Sequence, residues 1–178
     1  MRKGIISYRK LLYWGGLLLI VSSLNLRLLH LNHIVDNGKT VLVPLYFAEK
    51  SDFDKSGYMN IRYENIIPDT NMDHKKGSIV ISTDINKVAI YSRFNNTDMP
   101  VEAGEMLLQY QIARPFGFFS TKGMVKVSFG ADKFYFKDYG LLEYYMRARY
   151  TILKVAEDGS TILYGLADMN HQELGTSF

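Results

Sequence analysis

The chain has 178 residues, enough for one domain with a hydrophobic core and an N-terminal appendage. It contains no cysteine, which excludes disulfides, thiolate catalysis and cysteine-ligated metals. Five of its 21 basic residues lie in residues 1–30, where there is no acidic residue, so the remainder carries 16 basic and 18 acidic groups. Because a slightly acidic domain lacks the basic surface that phosphate backbones need, we expect no nucleic-acid partner.

The N-terminal segment, residues 1–35, is predicted to be a basic N-terminus and a transmembrane anchor. Leu11–Leu26 is uncharged and mostly apolar, and it lies between Lys10 and Arg27. Its 16 residues fall short of the ~20 that cross a hydrocarbon core, but both flanking cations can extend towards the interfaces and lengthen the usable span. Since basic flanks stay on the inner side, we expect the N-terminus inside and the rest of the chain outside.

Two other interpretations of this segment stay open. Val21-Ser22-Ser23 resembles a signal-peptidase cleavage site, which would make the segment a cleaved signal peptide. Apolar runs of this length also form buried core helices in soluble proteins. His30 and His33 share a helical face, but no third ligand is near them in sequence, so we predict interfacial histidines, no metal site and no cofactor.

Residues 36–170 are predicted to form a single, mostly antiparallel β domain, and residues 171–178 a C-terminal tail. Short β-prone runs are separated by polar turns, and there are no internal repeats. The strands predicted before residue 130 are Thr40–Phe47, Tyr58–Tyr63, Ser78–Ser82, Lys87–Phe94, Glu105–Arg114 and Met124–Phe129.

Two of these strands carry more specific predictions. Pro44 has no N–H to donate, so it makes the first strand either an edge strand or a strand with a break. In the second strand, alternation directs Met59, Ile61 and Tyr63 towards the core. The same alternation leaves Tyr58, Asn60 and Arg62 on the surface.

The C-terminal third contains an aromatic strand, a short helix and a hairpin. The helix is predicted over Leu141–Arg147, where one apolar face would cap the open end of the sheet. Glu157-Asp158-Gly159-Ser160 is a turn between two apolar runs, which is typical of a hairpin. The predicted fold class is therefore mainly β (α+β): one N-terminal transmembrane helix, then one mostly antiparallel β domain with one short helix before a C-terminal hairpin.

Four groups of residues at fixed spacing carry a resemblance to a known family. They are Phe134-Tyr135-Phe136, Ala148-Arg149-Tyr150, the segment Ser56–Tyr63, and the hairpin residues Val155, Asp158, Gly159, Leu163, Gly165, Leu166 and Asp168. In these groups the chain resembles the bacterial GDYXXLXY proteins. Within Ser56–Tyr63 the two tyrosines match and Ile61 replaces leucine, while Ser56 and Gly57 stand at the family's glycine and aspartate.

The resemblance implies a membrane-tethered β domain of unknown biochemical function that works beside multi-spanning membrane proteins. It also implies a single-pass protein of the bacterial cytoplasmic (inner) membrane, N-terminus inside, with the C-terminal domain in the periplasm or extracytoplasmic space. Gly57 removes the carboxylate of the family's aspartate, so we expect no role here that needs this carboxylate. A glycine at this position still suits a strained entry into the strand.

Aromatic residues from these groups are the first candidates for a binding site. Tyr58, Tyr63, Phe134, Phe136, Tyr145 and Tyr150 either line a groove for a peptide, lipid or glycan or pack in the core, and packing is the favoured interpretation. Arg149 is either a ligand-facing cation or the buried partner of a carboxylate such as Asp168 or Glu143, and the structural pair is the favoured interpretation. The candidate binding residues at family-motif positions are Gly57, Tyr58, Ile61, Tyr63, Phe136, Tyr145, Arg149, Tyr150 and Asp168.

A membrane-bound hydrolase is the alternative function. A signal-peptidase-like Ser–Lys dyad needs a serine just beyond the anchor and a buried lysine, but Ser51 and Ser56 lie in a charged loop. A carboxylate pair among Asp52, Asp54 and Glu64 is formally available, although loop acids are usually solvated. We therefore predict no catalytic residues and a non-catalytic binding or assembly module, with the lipid bilayer and a multi-spanning membrane protein as partners.

Overall fold

The computed structural model describes residues 3–46, 53–54, 58–63, 76–96, 99–113, 126–135 and 146–176. In these ranges a long helix, α1 (Lys3–Asn37), is followed by eleven strands whose ladders are all antiparallel. This order confirms the predicted N-terminal helix and antiparallel β domain. The strands are β1 (Lys39–Pro44), β2 (Phe53–Asp54), β3 (Tyr58–Asn60), β4 (Lys76–Thr83), β5 (Ala89–Phe94), β6 (Met106–Ala113), β7 (Lys126–Ser128), β8 (Lys133–Tyr135), β9 (Tyr150–Val155), β10 (Thr161–Ala167) and β11 (Glu173–Thr176).

Helix α1 is long and apolar enough to cross a membrane. Its apolar side chains point in all directions around the axis, and Leu11 and Trp14 are 69% and 70% exposed. No part of the most apolar segment of the helix is buried against the rest of the chain. The interpretation as a core helix of a soluble protein is therefore wrong, because such a helix would be covered by the domain.

The helix runs directly into the β domain, with only Gly38 between α1 and β1. The Gly38 N–H donates to the Ile34 carbonyl oxygen (2.8 Å), and a β-carbon at Gly38 would lie 2.4 Å from that oxygen. Ile34 is buried, and the last turns of α1 contact β9 and β10. The helix thus ends at Asn37, slightly beyond the anchor boundary predicted at residue 35.

The described strands form three sheets, with the orders β1-β9-β10-β11, β2-β3-β8 and β5-β4-β6-β7. Strand β1 lies at a sheet edge, one of the two arrangements that Pro44 predicted, and this proline pairs with Tyr150. The sheets are joined where the Leu42 N–H donates to the Lys87 carbonyl oxygen (2.8 Å) and where Leu45 bridges Tyr63. These links place the three sheets around a shared interior.

The main hydrophobic core takes residues from all three sheets. Met59, Ile61 and Tyr63 are buried while Tyr58 and Asn60 are half-buried, which confirms the faces predicted from alternation. Burying one aliphatic or aromatic side chain stabilises the fold by about 1.5–3 kcal/mol, so this shared core holds the sheets together. Its fully buried members include Val41, Val43, Ile61, Ile79, Ile81, Leu108, Phe134, Leu153 and Leu166.

The predicted C-terminal hairpin is present, and the predicted C-terminal tail needs correction. Strand β4 pairs with β5, and β9 pairs with β10 across the predicted Asp158-Gly159 turn. Residues 173–176, predicted as part of a tail, instead form β11 and pair with β10. Of the predicted short helix, Met146 and Arg147 are helical, and residues 141–145 lie outside the described residues.

Candidate functional site

A cleft of about 590 Å³ lies where helix α1 enters the β domain. One wall is the last turns of α1, with His30, His33 and Ile34, and another is the start of β6, with Leu107. The β9–β10 turn completes it with Asp158. This volume falls within the ~300–1,000 Å³ range of small-molecule sites, so the cleft is large enough to hold a ligand.

The β9–β10 turn is fixed in place by its own hydrogen bonds and by docking onto β6. Asp158 Oδ1 accepts hydrogen bonds from the Ser160 N–H (2.9 Å) and hydroxyl (2.6 Å). The Gln109 backbone N–H donates to the Gly159 carbonyl oxygen (2.9 Å). The Gln109 side-chain amide donates to the backbone carbonyl oxygen of Asp158 (2.9 Å). Gly159 has φ +82°, and a β-carbon there would lie 3.1 Å from Leu107 Cβ.

The Asp158 carboxylate keeps its charge at this position. The hydrogen bonds from Ser160 hold its pKa below the usual value, and the nearby His30 imidazole lowers the pKa further. Asp158 Oδ2 makes no hydrogen bond or ion pair with a described residue, so one oxygen of a charged carboxylate remains available beside the cleft.

The segment that precedes β6 is held by an ion pair. Arg93 Nη2 lies 2.9 Å from Glu105 Oε2 and also donates to the Pro100 carbonyl oxygen (2.9 Å). The Glu102 N–H donates to the same Glu105 oxygen (3.1 Å). These contacts hold the segment that contains Val101 and neutralise Glu105, and both residues line the cleft.

Among the sequence-predicted candidates, Ile61 and Tyr63 lie in the core. The Tyr63 hydroxyl donates to the Ala131 carbonyl oxygen, and its ring packs edge-on against Phe129 with centroids 4.8 Å apart. Burial raises the pKa of Tyr63 well above its usual value, and the nearby Asp132 carboxylate raises it further. These features describe a structural tyrosine.

Tyr58 lies at a half-exposed position on β3. Its ring packs across the strands against Tyr135, with centroids 5.8 Å apart, and the Lys133 ammonium lies 4.7 Å above the Tyr58 ring. Tyr58 and Tyr150 occupy different sheets. Gly57, Phe136 and Tyr145 lie outside the described residues.

Asp168 organises the turn between β10 and β11. Its carboxylate accepts hydrogen bonds from the Asn170 N–H (2.8 Å) and the Gln172 N–H (3.0 Å). Its ion-pair partner is Arg147 (3.6 Å), which corrects the pairing with Arg149 expected from sequence. The hydrogen bond from Gln172 is the largest cause that holds the pKa of Asp168 below its usual value.

Arg149 and Tyr150 flank the same turn. The Arg149 guanidinium donates to the carbonyl oxygens of Ala148 (2.8 Å) and Met146 (3.2 Å). Glu143, the other expected partner of Arg149, lies outside the described residues. The Tyr150 ring packs against His171, with centroids 5.0 Å apart. Tyr150 and Asp168 thus contact the turn that leads into β11, whereas the Arg149 guanidinium holds the segment that precedes β9.

Sequence reasoning identified individual residues of the cleft but not the cleft itself. His30 and His33 were predicted as interfacial and Asp158 as a turn residue, each from its local pattern. The H-x-x-H spacing was the available signal for one wall, since it points two imidazoles in one direction. Nothing local indicated that β6 and the β9–β10 turn would face them.

The described residues include only some of those considered for a metal site or a hydrolase. No group of three histidine, aspartate or glutamate side chains capable of holding a metal ion occurs within the described ranges. Ser51, Ser56, Asp52 and Glu64, considered for a hydrolase, lie outside them.

The fold and cleft define the chain as an antiparallel β domain joined to an N-terminal helix that is apolar enough to span a membrane. Comparison with family models, with curated proteins and with solved structures finds no match in any of the three. The function therefore has to be argued from the residues of this chain.

Proposed function

We propose that the protein is a membrane-anchored, non-catalytic binding or assembly module. Its β domain lies in the periplasm or extracytoplasmic space of a bacterium and works with a multi-spanning protein of the cytoplasmic membrane. The observation that carries the proposal is the uncovered apolar surface of α1, combined with the direct connection of this helix to the β domain through Gly38.

The exposed surface of α1 favours a lipid environment by a wide margin. Fifteen large apolar side chains between Tyr8 and Leu31 are exposed. Transfer of one such side chain from water to an apolar medium is worth ~1.5–3 kcal/mol, so the helix gains on the order of 20 kcal/mol or more in a bilayer. The charges of Lys10 and Arg27 flank the uncharged part of this helix, Leu11–Leu26, where they can reach the interfaces.

One face of α1 allows another membrane helix to approach closely. Gly15, Gly16, Ser22 and Ser23 lie within a sector of about 120° on this face, because residues seven apart are separated by only ~20° and consecutive residues by ~100° around a helix. A β-carbon added at either glycine would meet nothing within 4 Å. Small residues are enriched where membrane helices pack together, so this face is the place to look for the partner.

The test is site-specific photo-crosslinking in native membranes at native expression, followed by mass spectrometry of the crosslinked material. A photoreactive residue replaces Ser22 on the small face, and Leu24 on the opposite face serves as the matched control. We expect Ser22 to crosslink repeatedly to one multi-spanning membrane protein and Leu24 to crosslink mainly to lipid. Equal crosslinking at both positions, or only lipid or a second copy of the chain at Ser22, would contradict the proposal.

A further inference from the structure

The cleft lies at a defined height relative to the ends of the apolar stretch of α1. Lys10 and Arg27 are ~26 Å apart along the helix axis at 1.5 Å per residue, close to the ~30 Å thickness of a hydrocarbon core. His30 and His33 then lie ~4.5 and ~9 Å beyond Arg27. Because the headgroup layer adds ~5–8 Å on each side, the cleft wall formed by these histidines lies at headgroup level.

The charged groups around the cleft are arranged with opposite signs on opposite sides. The cationic or protonatable groups, Lys39, His30 and His33, belong to α1 and the start of β1, whereas Glu157 and Asp158 belong to the β9–β10 turn. No ion pair within 4 Å joins any of these five side chains to a described residue, and the His30 imidazole is near enough to Asp158 to lower the pKa of its carboxyl. Glu105 also lines the cleft, but Arg93 already neutralises it.

We propose that this cleft binds the headgroup of a zwitterionic phospholipid from the outer leaflet of the membrane that holds α1. The lipid ammonium lies beside Asp158 and Glu157, and the lipid phosphate lies beside Lys39 and the histidines. Ile34 and Leu107 supply the apolar part of the wall. The inference rests on the proposed membrane anchoring. It adds specific binding of one lipid class to the anchoring that α1 provides.

Hydrogen bonding already present in the cleft supports the ammonium position. Both hydrogen bonds to Asp158 within the turn go to Oδ1, which leaves Oδ2 able to accept one from a ligand. Hydrogen bonds to charged groups are worth more than those between neutral groups, so a lipid ammonium gains more here than an uncharged headgroup does.

The experiment uses the full chain, purified in detergent and stripped of lipid, with bound lipid measured by native mass spectrometry. The probes are phosphatidylethanolamine and, as the anionic comparison, phosphatidylglycerol. The test variant is Glu157→Gln combined with Asp158→Asn, which keeps an oxygen for the Ser160 hydrogen bonds. Glu173→Gln combined with Asp84→Asn, two exposed positions that do not line the cleft, controls for the loss of two negative charges.

We expect the unmodified chain to retain phosphatidylethanolamine in preference to phosphatidylglycerol. The double variant should weaken retention of phosphatidylethanolamine by about tenfold or more and leave phosphatidylglycerol unchanged. Equal retention of the two lipids, or insensitivity to the double variant, would overturn the inference. If soluble phosphoethanolamine displaced phosphatidylethanolamine at equal concentration, the inference would also be overturned, because the ligand would then be a free metabolite and not a membrane lipid.

A separate measurement distinguishes failure of this inference from failure of membrane anchoring. Resistance of the full chain to alkaline extraction from reconstituted vesicles reports insertion of α1 without reference to the cleft. A chain that inserts but shows no lipid preference contradicts only the headgroup site. A chain that does not insert contradicts both.

Discussion

At the scale of single residues, Asp168 shows how a candidate binding residue predicted from sequence can have a structural role. Its carboxylate accepts two backbone N–H groups and pairs with Arg147, so it shapes the turn that leads into β11. The expected partner, Arg149, differs from the observed one by only two positions. Sequence does not distinguish such neighbours, because the choice depends on where the chain leaves the short helix and enters β9.

Asp168 also gives the fold a predictable response to acid. Its pKa is lower in the folded state than the usual 3.8, so its charge stabilises the fold above that value. This contribution decreases as the pH falls below about 5 and is lost once the pH passes through the lowered pKa. Asp168→Asn keeps an oxygen for the two N–H groups but removes the charge.

The measurement is the free energy of unfolding of the full chain and of Asp168→Asn in detergent from pH 7 to pH 3. We expect the original chain to be more stable at pH 7 and the difference between the two proteins to narrow as the pH falls. Asp158 also has a lowered pKa, but it is unchanged in both proteins and cancels in the comparison. A difference that stays constant across this range would contradict the assigned role.

At the scale of elements, the β9–β10 turn is held against β6 by the absence of a side chain at Gly159. A β-carbon there would lie 3.1 Å from Leu107 Cβ and 3.3 Å from the Gln109 nitrogen, and the φ of +82° disfavours any other residue. Gly159→Ala therefore adds backbone strain to a packing conflict. We expect a loss of about 1–3 kcal/mol in the free energy of unfolding.

Gly104 supplies a matched control for this prediction. Its φ of +94° also lies in the left-handed region, but an added β-carbon there would meet nothing within 4 Å. Gly104→Ala therefore reports the backbone strain alone, and chemical unfolding of both variants separates the two contributions. Equal losses would show that the close approach of Gly159 to β6 adds nothing.

The strands show which elements can be predicted well from sequence and why others cannot. Regular alternation identified the buried faces of Met59, Ile61 and Tyr63, because period-two burial is a local property of the chain. Strand β11 lacks such a pattern, and its four residues are exposed or only half-buried. It exists because the Asp168 turn returns the chain beside β10, which is a tertiary cause. The cleft could not be predicted for the same reason, since His30, Leu107 and Asp158 are far apart in sequence and only the tertiary fold brings them together.

At the scale of the whole molecule, the proposed headgroup site depends on one arrangement. In this proposed arrangement helix α1 lies in a membrane, and the β domain follows it directly because Gly38 alone separates helix and strand. So short a connection would keep the cleft near the membrane surface. A long linker would have released the domain from the headgroup layer, and the cleft would then have no fixed relation to lipid.

The measurement that tests this arrangement most directly uses the absence of cysteine from the chain. Single cysteines replace Ile85, which is 97% exposed in the β4–β5 turn, and Tyr8, near the N-terminal end of α1. Spheroplasts that carry each variant are treated with a membrane-impermeant maleimide before and after lysis. We predict labelling of Ile85→Cys in intact spheroplasts and labelling of Tyr8→Cys only after lysis. Protection of Ile85→Cys until lysis would place the β domain in the cytoplasm and contradict the account.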